Sequence, residues 1–267
     1  MSNEQAAFGN RFVLFFDFLG TSDAAQQWPR ERVHKLVDLL IAISRAQAAE
    51  AIDGEPQVGG GYKLTITPEI TTFSDNVVVS YREADIESGP NIEEPVLKSL
   101  WAGIVCQDAI RILSSVAEMG LRIGMLIRGG FSFGQLYHDR RVVFGEAMVD
   151  AYRLESKLSH NPRILVSERV IDQLTHERPE DVSFLLRDSD GQWHLNYFGQ
   201  MARHAIPSGP DSIDGAIRWR QAHLTLIDQN IEELRRNSPD RAEKWQWFRE
   251  RFDHATSRLQ EWGGPPG

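Results

Sequence analysis

Length, composition and charge already exclude several classes of protein. The chain has 267 residues, of which 41% are apolar, enough for one domain of ordinary size plus a substantial elaboration. Its 29 basic and 38 acidic residues give a net charge of −9, so we expect no nucleic-acid partner. The single cysteine, Cys106, excludes an internal disulfide and a cysteine-rich zinc site.

Targeting and membrane signals are not evident. The opening residues, MSNEQ, show no basic segment followed by an apolar one, and no apolar run approaches the ~20 residues that span a bilayer. We therefore expect a cytoplasmic protein with no membrane partner. A local group of basic residues, Arg128, Arg140 and Arg141, leaves room for a small anionic ligand.

The first half of the chain predicts alternating strands and helices. FVLFFDFLG, residues 12–20, predicts a buried strand, and apolar residues at helical spacing predict a helix over residues 29–51. Residues 62–81, YKLTITPEITTFSDNVVVSY, predict a hairpin that turns at Pro68-Glu69, with its second strand continuing through the three valines. A second helix is predicted over residues 97–120.

The second half begins with a strand-rich segment, residues 121–145, that turns at residues 138–140. A helix over residues 146–158, a short strand RILVS and a short helix beginning at Ser167 follow. Residues 184–198 predict a further hairpin that turns at Asp190-Gly191.

The order β-α-β-β-α-β predicts a ferredoxin-like α+β fold, with helices on one face of an antiparallel sheet. We assign residues 8–205 to this domain. Residues 206–267 form a C-terminal extension of two long helices, the second of which carries an aromatic stripe that suits packing within the chain or across an oligomer.

Two aspartates are placed unusually. Asp17 stands in the middle of the apolar segment FVLFFDFLG, and Asp75 lies between Phe73 and Val77 early in the second hairpin strand. A buried carboxylate without a partner is costly. Because the first and third strands of such a sheet can be neighbours, both acids could face each other, and close carboxylates ionise together only beside a cation. Paired divalent ions would satisfy them and suit phosphoryl transfer.

The alternative is that each aspartate is structural. Asp17 could cap a turn at Leu19-Gly20, and Asp75 could cap the hairpin. For each acid alone the two interpretations are about equally balanced. The occurrence of both acids in this topological context favours a metal site.

Three segments resemble the signature motifs of the class III nucleotide cyclases: FFDFLG, FSDN and FGEAMVDAYRLES. The glycine-bearing strand RGGFSFG also resembles that family, and the resemblance covers roughly residues 12–170. It implies that residues 8–205 are a cyclase catalytic domain.

The resemblance also implies roles for individual residues. Asp17 and Asp75 match the ligands of two divalent ions, Mn²⁺ or Mg²⁺, and the backbone carbonyl of Phe18 matches a further metal contact. Arg153 matches the catalytic arginine that stabilises charge on the transferring α-phosphate. The other interpretation of Arg153 is a surface arginine paired to Glu146 or Glu155. In this family the aspartates and the arginine act across a dimer interface, so a homodimer is implied.

The sequence departs from the purine cyclases at three positions. Val149 stands where that family has a ribose-positioning asparagine, four residues before Arg153. Thr71 and Val142 stand where the purine-reading lysine and aspartate fall. A site without those hydrogen-bonding groups should not prefer a purine.

These departures point to one branch of the family. The short N-terminus directly before the strand of Asp17, the FSDN form and the RGGFSFG strand resemble the Pycsar pyrimidine cyclases of bacterial antiphage defence. The resemblance implies conversion of UTP, or alternatively CTP, to the 3′,5′-cyclic nucleotide, which then acts on a downstream effector protein. Tyr62 is the candidate base-reading residue, and it favours UTP slightly; the equally open alternative is a half-buried strand tyrosine. Arg128 and Arg122 are candidates for phosphate contact, and the alternative for one of them is a solvated strand residue. Two other hypotheses stay open: a catalytically inactive nucleotide-binding module, favoured by Val149, and an adenylate cyclase with a rebuilt purine pocket.

Overall fold

A computed structural model describes residues 8–21, 28–45, 63–64, 68–82, 86–87, 94–139, 141–174, 182–204 and 212–257. The candidate base reader Tyr62 and the basic residue Arg140 lie outside these residues. The helices are α1 (Arg30–Arg45), α2 (Glu94–Arg122), α3 (Glu146–Arg153), α4 (Glu168–Gln173), α5 (Tyr197–His204), α6 (Ser212–Asn237) and α7 (Pro239–Ser257).

An eight-stranded mixed sheet organises the fold. The strands are β1 (Gly9–Leu19), β2 (Lys63–Leu64), β3 (Glu69–Phe73), β4 (Asn76–Arg82), β5 (Ile86–Glu87), β6 (Leu126–His138), β7 (Val143–Phe144), β8 (Ile164–Val166), β9 (Leu185–Arg187) and β10 (Trp193–Leu195). Their order is β3-β4-β1-β6-β8-β10-β9, with β7 paired to β6 and β2 paired separately to β5. Only β6 and β8 are parallel among these pairs.

The four strands β3-β4-β1-β6 confirm the predicted ferredoxin-like α+β core, because β1 lies between β4 and β6 and is antiparallel to both. Alternation along β1 sends Phe12, Leu14, Phe16 and Phe18 into the main core, which α1 and α2 cover. The opposite face carries Val13 and Phe15, which pack under α3. Asp17 belongs to this second face.

The turn of the first hairpin differs from the prediction. It lies at Ser74-Asp75, where Phe73 pairs with Asn76, and not at Pro68-Glu69. Ser74 has a φ of 56°, which a two-residue hairpin loop of short polar side chains accommodates. The three valines of β4 are buried on both faces because β4 is an internal strand, so their unbroken apolar run marked a strand interior.

Helix α3 lies unusually close to the sheet. A Cβ on Gly130 of β6 would stand 2.2 Å from the carbonyl oxygen of Ala151, so only glycine allows this approach. Directly after Arg153 the helix widens into a π-helical turn over Leu154–Leu158. The predicted helix over residues 146–158 is therefore confirmed, with an irregular last turn.

The C-terminal helices pack on the same side of the sheet as α2. Trp245, Phe248 and Phe252 are buried in one core with the helix-facing residues of β1, so the described part of the aromatic stripe packs within the chain. Helix α2 has the length and mean hydropathy to cross a membrane, yet 61% of its most apolar stretch is buried inside the fold. Such burial is typical of a core helix.

We expect Phe248→Ala to lower the free energy of unfolding by about 3–5 kcal/mol, because the ring is 1% exposed and its loss leaves a cavity. Urea unfolding measures this. Phe8→Ala is the matched control, since Phe8 is 54% exposed, and it should change the value by less than about 0.5 kcal/mol. Equal losses in both variants would contradict the packing described for α7.

Candidate active site

Asp17 lies near the end of β1, on the face covered further along by α3. It pairs in register with Asn76 of β4 and Arg128 of β6. The strands on either side of β1 therefore place polar side chains directly beside the Asp17 carboxylate. One of its oxygens, Oδ1, is buried and has no hydrogen-bond partner.

Asp75 occupies the hairpin turn, next to Asn76 and hence beside Asp17. Thr21 Oγ1 donates a hydrogen bond to Asp75 Oδ2, and the Asn76 side chain donates to Oδ1 at 3.2 Å. The charge on Asp75 contributes to raising the pKa of Asp17. The structure thus brings the two predicted aspartates together, as the sequence indicated.

A single guanidinium serves two carboxylates at the base of the site. Arg128 Nη2 lies 3.4 Å from Asp17 Oδ2 and also contacts Glu155 Oε1, and its Nη1 lies 3.5 Å from the Ser159 carbonyl oxygen. Burial raises the pKa of Asp17, which Arg128 opposes. Burial, reinforced by the charge on Asp17, raises the pKa of Glu155 to about 7. Three carboxyl groups, those of Asp17, Asp75 and Glu155, thus lie around the one guanidinium of Arg128.

The donor set fits a divalent cation that completes its coordination with water or with substrate oxygens. Across the described ranges, no three His, Cys, Asp or Glu side chains converge closely enough to hold a metal by themselves. Mg²⁺, however, is commonly bound by one or two carboxylates together with water and substrate phosphates. Asp17 and Asp75 supply those carboxylates, and the unpartnered Asp17 Oδ1 has a ligand position to fill. The Phe18 side chain points into the core, and its carbonyl stays a predicted ligand.

Within the described residues, no hydrogen bond or ion pair joins Arg153 to Asp17 of the same chain. The Arg153 side chain is 62% exposed on α3, and its Nη1 lies 3.8 Å from Asp150 Oδ1. Glu146 pairs with Arg169 and Glu155 with Arg128, so neither is the partner considered from the sequence. The catalytic role of Arg153 stays a prediction.

The other sequence candidates have distinct surroundings. Thr71 Oγ1 lies 2.9 Å from His138 Nε2, while Val142 and Val149 are 49% and 46% exposed. Arg122 ends α2, where its Nη2 lies 2.8 Å from Glu118 Oε1, and its contact with phosphate stays a prediction.

Sequence reasoning missed Glu155 and Thr21 as members of the site. Glu155 lies four residues after Ala151 and eight after Ala147, which are both buried against the sheet, so helical spacing places it on the same inward face, where its side chain is 5% exposed. That spacing was the signal that could have found it. Thr21 offered one local signal, a hydroxyl directly after the glycine that ends β1.

No protein-family model and no curated protein sequence matches this chain. Its structural neighbours are nucleotide cyclase domains. They include the guanylyl cyclase domain of the RhoGC fusion protein from the aquatic fungus Blastocladiella emersonii, with 16% identity, coverage of 70% of this chain and 94% of that one, and a TM-score of 0.41. The adenylyl cyclase CyaB from P. aeruginosa has 14% identity, coverage of 71% and 95%, and a TM-score of 0.42. Similarity of this degree assigns neither family nor activity.

Glu155 should make the metal-free protein less stable as the pH rises. Its folded pKa of about 7 exceeds the ordinary value of 4.5, so the folded state binds the extra proton between these values and stability falls as the pH climbs through them. From pH 5 to pH 8 in EDTA, we expect the wild type to lose roughly 1–3 kcal/mol more than Glu155→Gln in urea unfolding. Parallel profiles would show that Glu155 titrates normally.

Proposed function

We propose that this chain is a metal-dependent nucleotide cyclase that converts UTP to 3′,5′-cyclic UMP and pyrophosphate. The proposal extends to a homodimer in the cytoplasm and to a role as the signal generator of antiphage defence, with the cyclic nucleotide acting on a separate effector protein. Its support from sequence is the resemblance of the segments that carry Asp17, Asp75 and Arg153 to the cyclase motifs.

The observation that carries the proposal is the acid pair itself. Asp17 lies near the end of β1, and Asp75 lies in the turn before the adjacent start of β4. The guanidinium of Arg128 is shared between Asp17 and Glu155. A structural turn cap would satisfy its carboxylate with nearby backbone amides. Asp17 instead keeps a buried oxygen without a donor, which a cation would satisfy.

The proposed reaction assigns each residue a task. The ribose 3′-oxygen bonds to the α-phosphorus, the bond from that phosphorus to the bridging oxygen breaks, pyrophosphate leaves, and the hydroxyl proton passes to water. Asp17 and Asp75 would hold Mn²⁺ or Mg²⁺, which supplies charge neutralisation to the triphosphate and lowers the pKa of the attacking hydroxyl. Arg153 would place a guanidinium against the charge that develops on the α-phosphate. Arg128 would remain with Glu155 and face the phosphates.

A homodimer would complete this site. Arg153 is exposed on α3 and is not in contact with the Asp17 of its own chain. Apolar side chains of α3 and of the π-helical turn after it are also exposed: Val149 is 46%, Tyr152 51% and Leu158 46% exposed. Two copies that bury this face could each present Arg153 to the aspartates of the other.

The pyrimidine preference rests on what the two base-reading positions offer. Thr71 is a short hydroxyl already engaged with His138, and Val142 offers no hydrogen bond from its side chain. A buried polar pocket matched to adenine or guanine needs such groups. The choice of UTP over CTP follows the proposed contact with Tyr62, and CTP is the alternative substrate.

A nucleotide-binding module without catalysis is the second candidate. Val149 favours it, because an exposed valine cannot take the ribose-positioning role of an amide four residues before Arg153. The Arg128–Asp17 contact is also compatible with it, since the guanidinium neutralises part of the charge on Asp17.

Incubation with Mn²⁺ and each of ATP, GTP, CTP and UTP, followed by mass spectrometry, tests the proposal. We expect cyclic UMP, with turnover abolished by EDTA. Cyclic CMP would change the assigned base, and cyclic AMP would overturn the argument from Thr71 and Val142. Saturable nucleotide binding with no product from any nucleotide would favour the binding module.

A shared site should also be restored by mixing inactive subunits. Asp75→Ala and Arg153→Ala should each lower kcat by at least about 100-fold. When both variants are co-expressed with different tags, half of the dimers are mixed and carry one intact site, so activity should return to about a quarter of the wild-type value. A mixture as inactive as either parent would contradict a site shared between subunits.

A further inference from the structure

Helix α7 reaches the turn that follows the central strand. Gly20 ends β1 with a φ of +93°, and a Cβ placed there would lie 2.4 Å from Arg241 Nη2. The guanidinium of Arg241 therefore lies directly against the backbone of this turn. Because an L side chain rarely adopts such a φ, glycine both forms the turn and admits the arginine.

This turn is joined to the candidate metal site by the next residue. Thr21 follows Gly20 and donates its hydroxyl to Asp75 Oδ2. The position of Asp75 therefore depends on where the turn places Thr21. Arg241 of α7 lies against this turn. A change at Arg241 can therefore move Thr21 and, through its hydrogen bond, Asp75.

A second route links α7 to the other aspartate. Arg251 Nη2 lies 2.7 Å from Asp188, which also contacts the fully buried Arg163. The carbonyl oxygen of Arg163 accepts a hydrogen bond from the backbone N–H of Gly129 at 3.1 Å. Gly129 adjoins Arg128, the partner of Asp17. Helix α7 is thus connected to Asp75 through Arg241 and to Asp17 through Arg251.

We propose that Arg241 is a positioning residue for the candidate metal site: by holding the Gly20-Thr21 turn, it sets Asp75 and thereby the affinity for divalent cations. This inference rests on the proposed function, because it assumes that Asp17 and Asp75 bind the metal. It gives the C-terminal helices a role in assembling the site. Outer partners of metal ligands commonly change metal affinity by about 10–100-fold.

The test is a titration of the full chain with Mn²⁺ in the absence of nucleotide. Binding is measured by the loss of the electron paramagnetic resonance signal of free Mn²⁺. We expect Arg241→Ala to bind Mn²⁺ about tenfold more weakly than the wild type. Arg249→Ala is the matched control on the same helix, because Arg249 pairs with Asp228, at 2.5 Å, on α6. It should bind Mn²⁺ as the wild type does. Asp75→Asn locates the binding site and should abolish the high-affinity binding.

The outcomes separate the inference from the proposed function. If Asp75→Asn loses Mn²⁺ binding but Arg241→Ala binds like the wild type, the inference is overturned and the metal site stands. If the wild type binds no Mn²⁺, or Asp75→Asn binds it normally, the assigned metal site fails and the inference fails with it.

A second pair of variants covers the case in which Arg241→Ala does not fold. Arg241→Lys keeps the charge and most of the packing but loses the planar guanidinium, and Thr21→Val removes the hydroxyl bound to Asp75. Both should weaken Mn²⁺ binding. Both substitutions act on Asp75 through Thr21. A variant that carries Arg241→Lys and Thr21→Val together should therefore bind Mn²⁺ no more weakly than Thr21→Val alone. Independent, additive losses would overturn the proposal.

Discussion

The site depends on one arginine that neutralises two acids. Arg128 is placed by its register opposite Asp17, and the π-helical turn after α3 brings Glu155 to the same guanidinium. Burial, reinforced by the neighbouring carboxylates, raises the pKa values of both Asp17 and Glu155, and with Asp75 three acids lie around one guanidinium. Clustered carboxyl groups of this kind favour a bound cation. A nucleoside triphosphate substrate is itself bound together with divalent ions.

The rest of the molecule holds these groups in place from both faces of the sheet. On one face, Gly130 allows α3 to approach β6 closely enough for the π-helical turn to lie over Arg128. On the other, the C-terminal helices share the core of β1 and reach the site at Gly20 and, through Asp188 and Arg163, at Gly129. The proposed catalytic domain and its helical extension therefore contribute to one arrangement of charges.

The sequence predicted most of the core and part of the site, for physical reasons that differ between elements. The apolar run of β1 and the three valines of β4 indicated buried internal strands, and the isolated Asp17 stood out against its neighbours. The hairpin turn was misplaced because Pro68-Glu69 is a strong local turn signal, whereas Ser74-Asp75 is favoured by the strand pairing on either side. Arg241 could not be found, because a contact between distant elements leaves no local pattern, whereas Glu155 was overlooked although it falls at helical spacing after the buried Ala151.

The most direct measurement is a crystal structure grown with Mn²⁺ and analysed by anomalous diffraction at the manganese absorption edge. The account predicts an anomalous peak bound by Asp17 and Asp75, with Asp17 Oδ1 as a ligand and Arg128 displaced from Asp17 but retained by Glu155. An Asp17 that keeps its contact with Arg128, with no anomalous peak beside either aspartate at saturating Mn²⁺, would contradict the central claim that the acid pair is a metal site.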